Sequence, residues 1–291
     1  MLKIGRFKET LVEGIIKTSG IASIFVVTLI FFFLLKEGVF LFKTVHLHDF
    51  LLGRSWYPIS DPPEFGILPL IYGTLLVTAG AAVLAVPLGI GAAIYIAEVA
   101  PPKLKEILKS GIELLAAIPS VVLGFIGIVT IVPWARQFFH IPTGLTAFSG
   151  SVILAFMAMP TIVSIAEDSL HSVPKSYKEG AYALGATRWQ TIYRVVIPAC
   201  SSGMLAAVML GIGRVVGETM AVMMVTGNSA SLARGIFSPA RTLTATIAAE
   251  MGETVQGSDH YFALFSIGIV LFLITFAINM TADFMIHRKR K

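Results

Sequence analysis

The sequence predicts an all-α integral membrane protein with about six transmembrane helices. Of its 291 residues, 56% are apolar and only 13% carry a charge, whereas ordinary soluble domains have about 25% charged residues. This composition excludes a soluble enzyme, a disordered linker and a nucleic-acid-binding module. Six stretches have the roughly 20 mostly apolar residues that a helix needs to cross the hydrocarbon core. They are Ile21–Phe42, Leu70–Ala97, Ile112–Trp134, Leu145–Ile165, Ala199–Thr226 and Phe262–Asp283.

The basic residues predict which way these spans run. Most of the 22 Lys and Arg residues lie before the first span, between the second and third, between the fourth and fifth, or after the sixth. Because basic loops stay in the cytoplasm, both termini are expected to be cytoplasmic. The net charge of +5 is therefore a topology signal, and binding to nucleic acid is not expected. A cleaved signal peptide is an alternative for the first span, although no small-residue cleavage site follows Leu35.

Proline and glycine predict how the spans bend and pack. Pro87 lies inside the second span, where it removes one helical hydrogen bond and kinks the helix. Gly124 and Gly127 in the third span, and Gly213 and Gly217 in the fifth, are spaced so that neighbouring helices can approach closely.

The sequence lacks the common motifs for chemistry on this chain. It contains no G-x-x-x-x-G-K-[ST] phosphate loop and neither H-E-x-x-H nor G-x-S-x-G, so it is not expected to bind and split ATP or to hydrolyse a substrate. His46, His48 and Asp49 could hold a metal, but two histidines without a further partner are more typical of an exposed loop. We therefore expect a transport or anchoring chain with no metal or cofactor of its own.

Residues 167–198 form the longest polar segment on the predicted cytoplasmic side. A short amphipathic helix is predicted over Ser176–Leu184, with Gly185 at its C-terminal cap and a second helix from Arg188 to Pro198. The first helix suits a groove on a partner, and the alternative is a helix resting on lipid headgroups. Its exposed apolar side chains are expected to be Tyr177, Tyr182 and Leu184.

Arg214 and Glu218 are charged residues inside the fifth predicted span. Their spacing of four places both on one helix face. An Arg at the centre of a span costs about 2.5–3.5 kcal/mol, so it is expected to face a cavity or another helix. Paired guanidinium donors fit a phosphate-like anion, which makes Arg214 the candidate substrate contact, with Glu218 orienting it and Thr219 as a weaker hydroxyl donor. The alternative is a neutralised pair that only holds two helices together.

Two motifs make the prediction more specific. Glu179-Gly180-Ala181, then Gly185, then Ile197-Pro198 resemble the "EAA" loop of ABC importer permeases, although Gly180 replaces the usual Ala. The resemblance implies a coupling helix that docks on an ATPase subunit. The residues assigned to it are Glu179, Gly180, Ala181, Tyr182 and Gly185.

The segment G-I-G-R-V-V-G-E-T-M-A-V at 211–222 is similar to a segment of PstC-type phosphate permeases. I-E-L-L-A-A-I-P-S at 112–120 is similar to the start of that family's third span, and the likeness extends from about Pro69 to Ala282. The resemblance implies a type I ABC importer permease fold. It also implies a membrane subunit of an ATP-driven phosphate importer in the cytoplasmic (inner) membrane of a bacterium or archaeon.

The same resemblance implies the partners and the domain organisation. The expected partners are a PstA-like second permease, two PstB-like ATPase subunits that bind ATP and Mg, and a PstS-like periplasmic or lipid-anchored phosphate-binding protein. The expected parts are residues 1–66 (first helix and first periplasmic loop), 67–285 (a five-helix permease core) and 286–291 (a basic cytoplasmic tail). Three alternatives stay open: transport of sulfate or molybdate, an ion-coupled secondary transporter that uses Glu218 as a proton relay, and an assembly subunit without transport.

Overall fold

The computed structural model describes the backbone of residues 2–288 and the side chains of residues 12–281, 283 and 284. Of the tail predicted at 286–291, residues 289–291 lie outside this range. Within it the chain is helical almost throughout, and one antiparallel ribbon pairs Trp56 with Phe65.

The helices are α1 (Leu2–Gly38), α2 (Leu47–Leu52), α3 (Leu68–Ile94), α4 (Pro102–Ala117), α5 (Ser120–Ile126), α6 (Val132–Phe139), α7 (Ala147–His171), α8 (Lys175–Ala183), α9 (Arg188–Thr191), α10 (Ile197–Ala199), α11 (Ser201–Val216), α12 (Met220–Val225), α13 (Leu243–Glu250) and α14 (Asp259–Arg288). The strands are β1 (Trp56–Tyr57) and β2 (Glu64–Phe65). A 3-10 turn, Val39–Lys43, follows α1, and π-helical turns follow α3 (Tyr95–Val99), join α5 to α6 (Gly127–Ile131) and join α9 to α10 (Ile192–Val196).

Five helical segments of the described chain are long and apolar enough to cross a membrane. Two further helical segments, Arg188–Ala199 and Ser201–Val216, meet at a bend of 71° and together are long and apolar enough for one more crossing. The predicted all-α membrane fold with about six spans is therefore confirmed. The five are Val12–Lys43, Leu68–Val99, Ser120–Phe139, Ala147–His171 and Asp259–Thr281.

The third span differs from the predicted Ile112–Trp134. Helix α4 ends at Ala117, and a new span begins at Ser120. Pro119 lacks an amide hydrogen and forces the preceding Ile118 into an extended conformation, with ψ of 126°. The third span is therefore displaced toward the C-terminus, and α4 is a separate helix that precedes it.

The fifth span is not the continuous helix predicted over Ala199–Thr226. The chain bends before Ser201, α11 ends at Val216, and α12 begins only at Met220. Thr219, with φ of −122° and ψ of −62°, has left the helical conformation. The prediction was wrong because apolar residues lie on both sides of this short break, so that the two helices look like one run in the sequence.

The bundle centre is built on close approach between α3, α7 and α11. Ile162 of α7 is 1% exposed and packs against Gly89 of α3 on one side and Gly211 of α11 on the other. A Cβ at Gly211 would come within 2.5 Å of Ile162 Cγ1. The glycines therefore leave the space that Ile162 occupies, which joins three helices at one point.

The predicted glycine contacts are confirmed in one pair and wrong in the other. Gly124 packs on Ala221, and Gly127 packs on Val225 and Ile153. In contrast, a Cβ at Gly213 or Gly217 would meet no other helix closer than 3.9 Å, so these two glycines do not bring helices into close contact.

We expect Gly211→Ala to destabilise the protein by about 1–3 kcal/mol, because the added methyl group overpacks the Ile162 contact. The matched control is Gly91→Ala on α3, where no atom lies within 4 Å of the new Cβ and alanine favours the helix. Thermal unfolding of both variants in detergent measures the difference. A melting temperature for Gly211→Ala equal to that of Gly91→Ala would contradict the packing described here.

Candidate substrate pathway and coupling segment

Arg214 lies in the last turn of α11, about 20 Å along the helix from its first residue. Its side chain is exposed at the surface of this chain, and Nη1 donates a hydrogen bond of 3.4 Å to Oγ1 of Thr161 in α7. Among the side chains that the structure describes, Arg214 forms no ion pair with a carboxylate. Its charge is therefore not neutralised within this part of the chain.

Glu218 does not share a helix face with Arg214, because α11 ends between the two residues. Instead, Glu218 Oε1 accepts a hydrogen bond of 3.4 Å from the backbone N–H of Ala221, in the first turn of α12. Its backbone carbonyl accepts a bond of 2.8 Å from Thr244 Oγ1. The expected juxtaposition of the two charges is wrong, and the alternative of a neutralised pair has no support in this geometry.

The break between α11 and α12 is held by hydroxyl groups. Thr219 is half-buried, and its hydroxyl donates to the carbonyl of Gly217 at 3.3 Å. Thr161 and Thr244 were not singled out from the sequence, although they complete the surroundings of Arg214 and Glu218. A threonine directly after Pro160 in an apolar span is a signal that could have identified Thr161, whereas Thr244 lies on α13, which was not predicted.

The segment with the "EAA" pattern folds as predicted at its centre. Helix α8 is followed by Leu184 and then by Gly185, whose φ of 81° is the left-handed conformation typical of a glycine cap. Helix α9 begins at Arg188 after a capping box formed by Thr187 and Gln190. The two short helices are therefore separate units joined by a fixed turn.

The faces of α8 differ in exposure. Ala181 is buried, whereas Tyr182 is 48% exposed and Leu184 is 91% exposed. Glu179 and Gly180 are also exposed, and nothing lies within 4 Å of a Cβ built on Gly180. The helix rests on the bundle through Ala181 and leaves a partly apolar face uncovered.

A cluster of charges joins α4 to α7 at the same end of the bundle. Glu167 is 3% exposed and receives a bond of 3.0 Å from Lys109 Nζ. Lys105 Nζ lies 3.4 Å and His171 Nδ1 lies 3.5 Å from the same carboxylate. The hydrogen bond and the negative charge of Glu167 raise the pKa of Lys109. This nearly buried carboxylate therefore has two lysine ammonium groups and a histidine ring around it.

The opposite end of the bundle carries a second, partly buried network. Glu250 accepts hydrogen bonds from Trp56 Nε1 at 3.0 Å, Arg241 Nη1 at 2.5 Å and His260 Nε2 at 2.8 Å. These residues line an open cavity of about 810 Å³. Unlike Arg214, Arg241 is paired with a carboxylate and supports the structure of this end.

The structure gives no metal centre in the part of the chain that it describes. No three His, Cys, Asp or Glu side chains there come close enough together to bind an ion. His48 and Asp49 lie 3.4 Å apart, and both are well exposed.

Residues 85–291 match the family of "binding-protein-dependent transport system inner membrane component" proteins. The chain belongs to this family. Its relatives include the "Probable ABC transporter permease protein YqgH" of Bacillus subtilis, which is 43% identical over 86% of this chain and 81% of the relative. The "Phosphate transport system permease protein PstC" of Mesorhizobium japonicum is 39% identical over 82% of this chain and 78% of the relative. The protein of the same name from Haemophilus influenzae is 33% identical over 98% of this chain and 96% of the relative. These relatives confirm the resemblance to PstC-type permeases.

Solved structures of ABC importers share the fold. A chain of a bacterial alginate ABC transporter superposes with a TM-score of 0.62 and 19% identity, and the match covers 92% of this chain and 94% of that one. The MetNI methionine ABC transporter covers 77% and 95% at a TM-score of 0.61 and 18% identity. The predicted type I ABC importer permease fold is therefore confirmed.

The family determines what kind of protein this is. The chain is a membrane permease subunit of an ABC importer, and such subunits are transport proteins without an ATPase motif of their own. An ion-coupled secondary transporter and an assembly subunit without transport are set aside on this ground.

We expect Gly185→Ala and Gly180→Ala to have opposite effects on stability. A Cβ at Gly185 is strained by the positive φ, which costs about 1 kcal/mol, whereas Gly180 lies in a helix with open space and alanine there gains a similar amount. Thermal unfolding of the two variants makes the comparison directly. If Gly185→Ala is as stable as Gly180→Ala, the turn does not have the conformation described.

Proposed function

We propose that this chain is the PstC-type permease subunit of an ATP-driven phosphate importer, and that Arg214 is its anion contact. The observation that carries the proposal is a guanidinium on a membrane-spanning helix, exposed at the surface of this chain, whose only hydrogen-bond partner in the described chain is the hydroxyl of Thr161. The relatives named as PstC phosphate permeases supply the identity of the anion.

The position of Arg214 in a spanning helix is energetically costly. An Arg in a spanning helix costs about 2.5–3.5 kcal/mol, and this helix gives it no carboxylate to offset that cost. A tetrahedral oxyanion offers paired acceptors to the planar guanidinium fork, which restores strong charge-assisted hydrogen bonds. A passing anion therefore gives Arg214 the partner that the described part of the chain does not provide.

The neighbours of Arg214 shape the path around it. Glu218 accepts a hydrogen bond from the N–H of Ala221 in the first turn of α12, and its negative charge disfavours an anion that lies away from the guanidinium. Thr219 contributes a hydroxyl beside the break. In this proposal the two residues organise the site and Arg214 binds.

We assign the coupling role to the segment that the sequence singled out: Glu179, Gly180, Ala181, Tyr182 and Gly185. The uncovered face of α8 suits a groove on an ATPase subunit, which binds ATP and Mg and closes on the cytoplasmic side. The end with α8 is then cytoplasmic and the chain lies in the inner membrane. This agrees with Lys105, Lys109 and Lys178 lying at that end.

The further partners are a PstA-like second permease and a PstS-like phosphate-binding protein at the opposite face. The proposed division into residues 1–66, 67–285 and 286–291 separates the first helix and loop from the permease core and the tail. The loop is nevertheless anchored, because Phe50 and Trp56 are buried in one cluster with Leu264 of α14.

We expect Arg214→Gln to lower phosphate uptake by about tenfold to a hundredfold, since charge-assisted hydrogen bonds are worth about 1.5–3 kcal/mol. Arg214→Lys keeps the charge but not the paired donors, and it is expected to restore only part of the uptake. The control is Arg234→Gln, an exposed arginine outside the break. Uptake of labelled phosphate by vesicles containing the assembled complex measures all three.

If the assembled Arg214→Gln complex takes up phosphate at the wild-type rate, Arg214 is not the anion contact. Competition with unlabelled sulfate and molybdate tests the other oxyanions. If unlabelled phosphate inhibits uptake and sulfate and molybdate do not, the assignment to phosphate is supported. If sulfate or molybdate inhibits more strongly than phosphate, the assignment is overturned.

We expect Leu184→Glu and Tyr182→Glu to release the ATPase subunits, because a charge on the uncovered face of α8 must be desolvated on docking. Ile59→Glu is the matched control, since Ile59 is 89% exposed but lies in the loop at the opposite end. Co-purification of the ATPase with each variant is the measurement. If the ATPase co-purifies undiminished with both α8 variants, docking through this face is contradicted, and the alternative that α8 rests on lipid headgroups is favoured.

A further inference from the structure

Two cations converge on the end of α3, in the π-helical turn Tyr95–Val99. Lys178 Nζ donates a bond of 2.6 Å to Oε1 of Glu98, whose side chain is only 10% exposed. Arg188 Nη2 donates to the backbone carbonyl of the same residue. One residue at the end of a spanning segment is therefore held through both its side chain and its main chain.

This contact differs from an ordinary surface ion pair. The end of a helix carries unpaired carbonyls and a partial negative charge, so a carboxylate there is unfavourable unless cations accompany it. Because Glu98 is largely buried and Lys178 is 26% exposed, solvent screens their attraction less than it screens an exposed pair. The arrangement therefore depends on both cations being present.

The two cations come from either side of the turn at Gly185. Lys178 lies in α8, directly before Glu179, and Arg188 opens α9. The proposed coupling segment is thus attached to a single helix end on both sides of its own turn. The glycine has open space around it and offers no contact that would carry a force by itself.

The end of α3 is also continuous with the bundle centre. Ile96, in the same π-helical turn, is buried in one apolar cluster with Val163 of α7 and Val196 of the segment that follows α9. Helices α3 and α7 contact one another more extensively than any other pair. Helix α7 in turn carries Thr161, the hydrogen-bond partner of Arg214.

We infer that Glu98 is the positioning residue that fixes the coupling segment to α3. A displacement of α8 by the ATPase is then passed to α3 and α7 instead of being absorbed by bending at Gly185. The inference rests on the proposed function, because it concerns how that function is driven. Glu98 contacts neither the anion nor the ATPase in this role.

The test uses the complete complex in vesicles, with inorganic phosphate and the binding protein present. Glu98→Gln keeps the size of the side chain and removes its charge. We expect phosphate transported per ATP hydrolysed to fall about tenfold, as for the loss of a typical coupling between two sites, while the complex still assembles. Glu106→Gln on α4, an exposed carboxylate without an ion pair in the described chain, is the control and is expected to leave the ratio unchanged.

A charge exchange separates positioning from a general effect on folding. Glu98→Lys and Lys178→Glu are each expected to uncouple transport from ATP hydrolysis, and the double variant is expected to recover most of the lost ratio. Should Glu98→Gln fail to assemble, Lys178→Gln removes the same ion pair from the other side and decides the question. An unchanged ratio in the assembled variant, or no recovery in the double variant, overturns the inference.

The control experiments keep this outcome distinct from the proposed function. If the unaltered complex takes up phosphate with ATP, and Arg214→Gln does not, the proposed function stands whatever Glu98→Gln does. If the unaltered complex shows no ATP-driven phosphate uptake, the proposed function itself fails.

Discussion

Lipid offers no hydrogen bonds, so each polar group in the bundle must be satisfied by the chain itself or by whatever moves past it. Most polar side chains obey the first part of this constraint. Thr74, Ser151 and Ser266 donate to helix carbonyls, and among the described residues no buried side-chain nitrogen or oxygen lacks a partner. Arg214 stands out because it is exposed on this chain and has one weak partner. That contrast gives the residue its place in the proposed pathway.

The same constraint explains where the helices break. Breaks are tolerated in a membrane protein only where protein or a cavity covers the freed backbone groups. At the break after Val216, the carbonyl of Glu218 receives the Thr244 hydroxyl and the N–H of Ala221 finds the Glu218 carboxylate. The interruption of the apolar segment is therefore stabilised locally, and Arg214 lies exposed in the last turn of the helix that precedes it.

The largely buried carboxylates at the two ends of the bundle have partners of opposite charge, whereas Arg214 does not have one in the described chain. Glu98 and Glu167 at one end, and Glu250 at the other, are largely buried, and each has cationic or donor groups from other segments of the chain around it. Removing one partner from such a cluster leaves an uncompensated charge, so a shift of one helix that breaks the contact is destabilising. They hold the ends of α3, α4, α7, α8 and α13 in place, whereas Arg214 is left available.

The sequence alone was sufficient for the class of protein and most of its elements. Long apolar runs identified the first, second, fourth and sixth predicted spans closely, and the motif around Glu179 and Gly185 placed a helix and its cap correctly, because both signals are local. The breaks at Pro119 and after Val216, the packing of Ile162 between two glycines and the separation of Glu218 from Arg214 were decided by tertiary structure. An apolar run does not reveal where its helix ends when the groups that cover the break, such as Thr244, come from a distant part of the chain. The contact between Glu98 and Lys178 likewise joins residues eighty positions apart, and only folding brings them together.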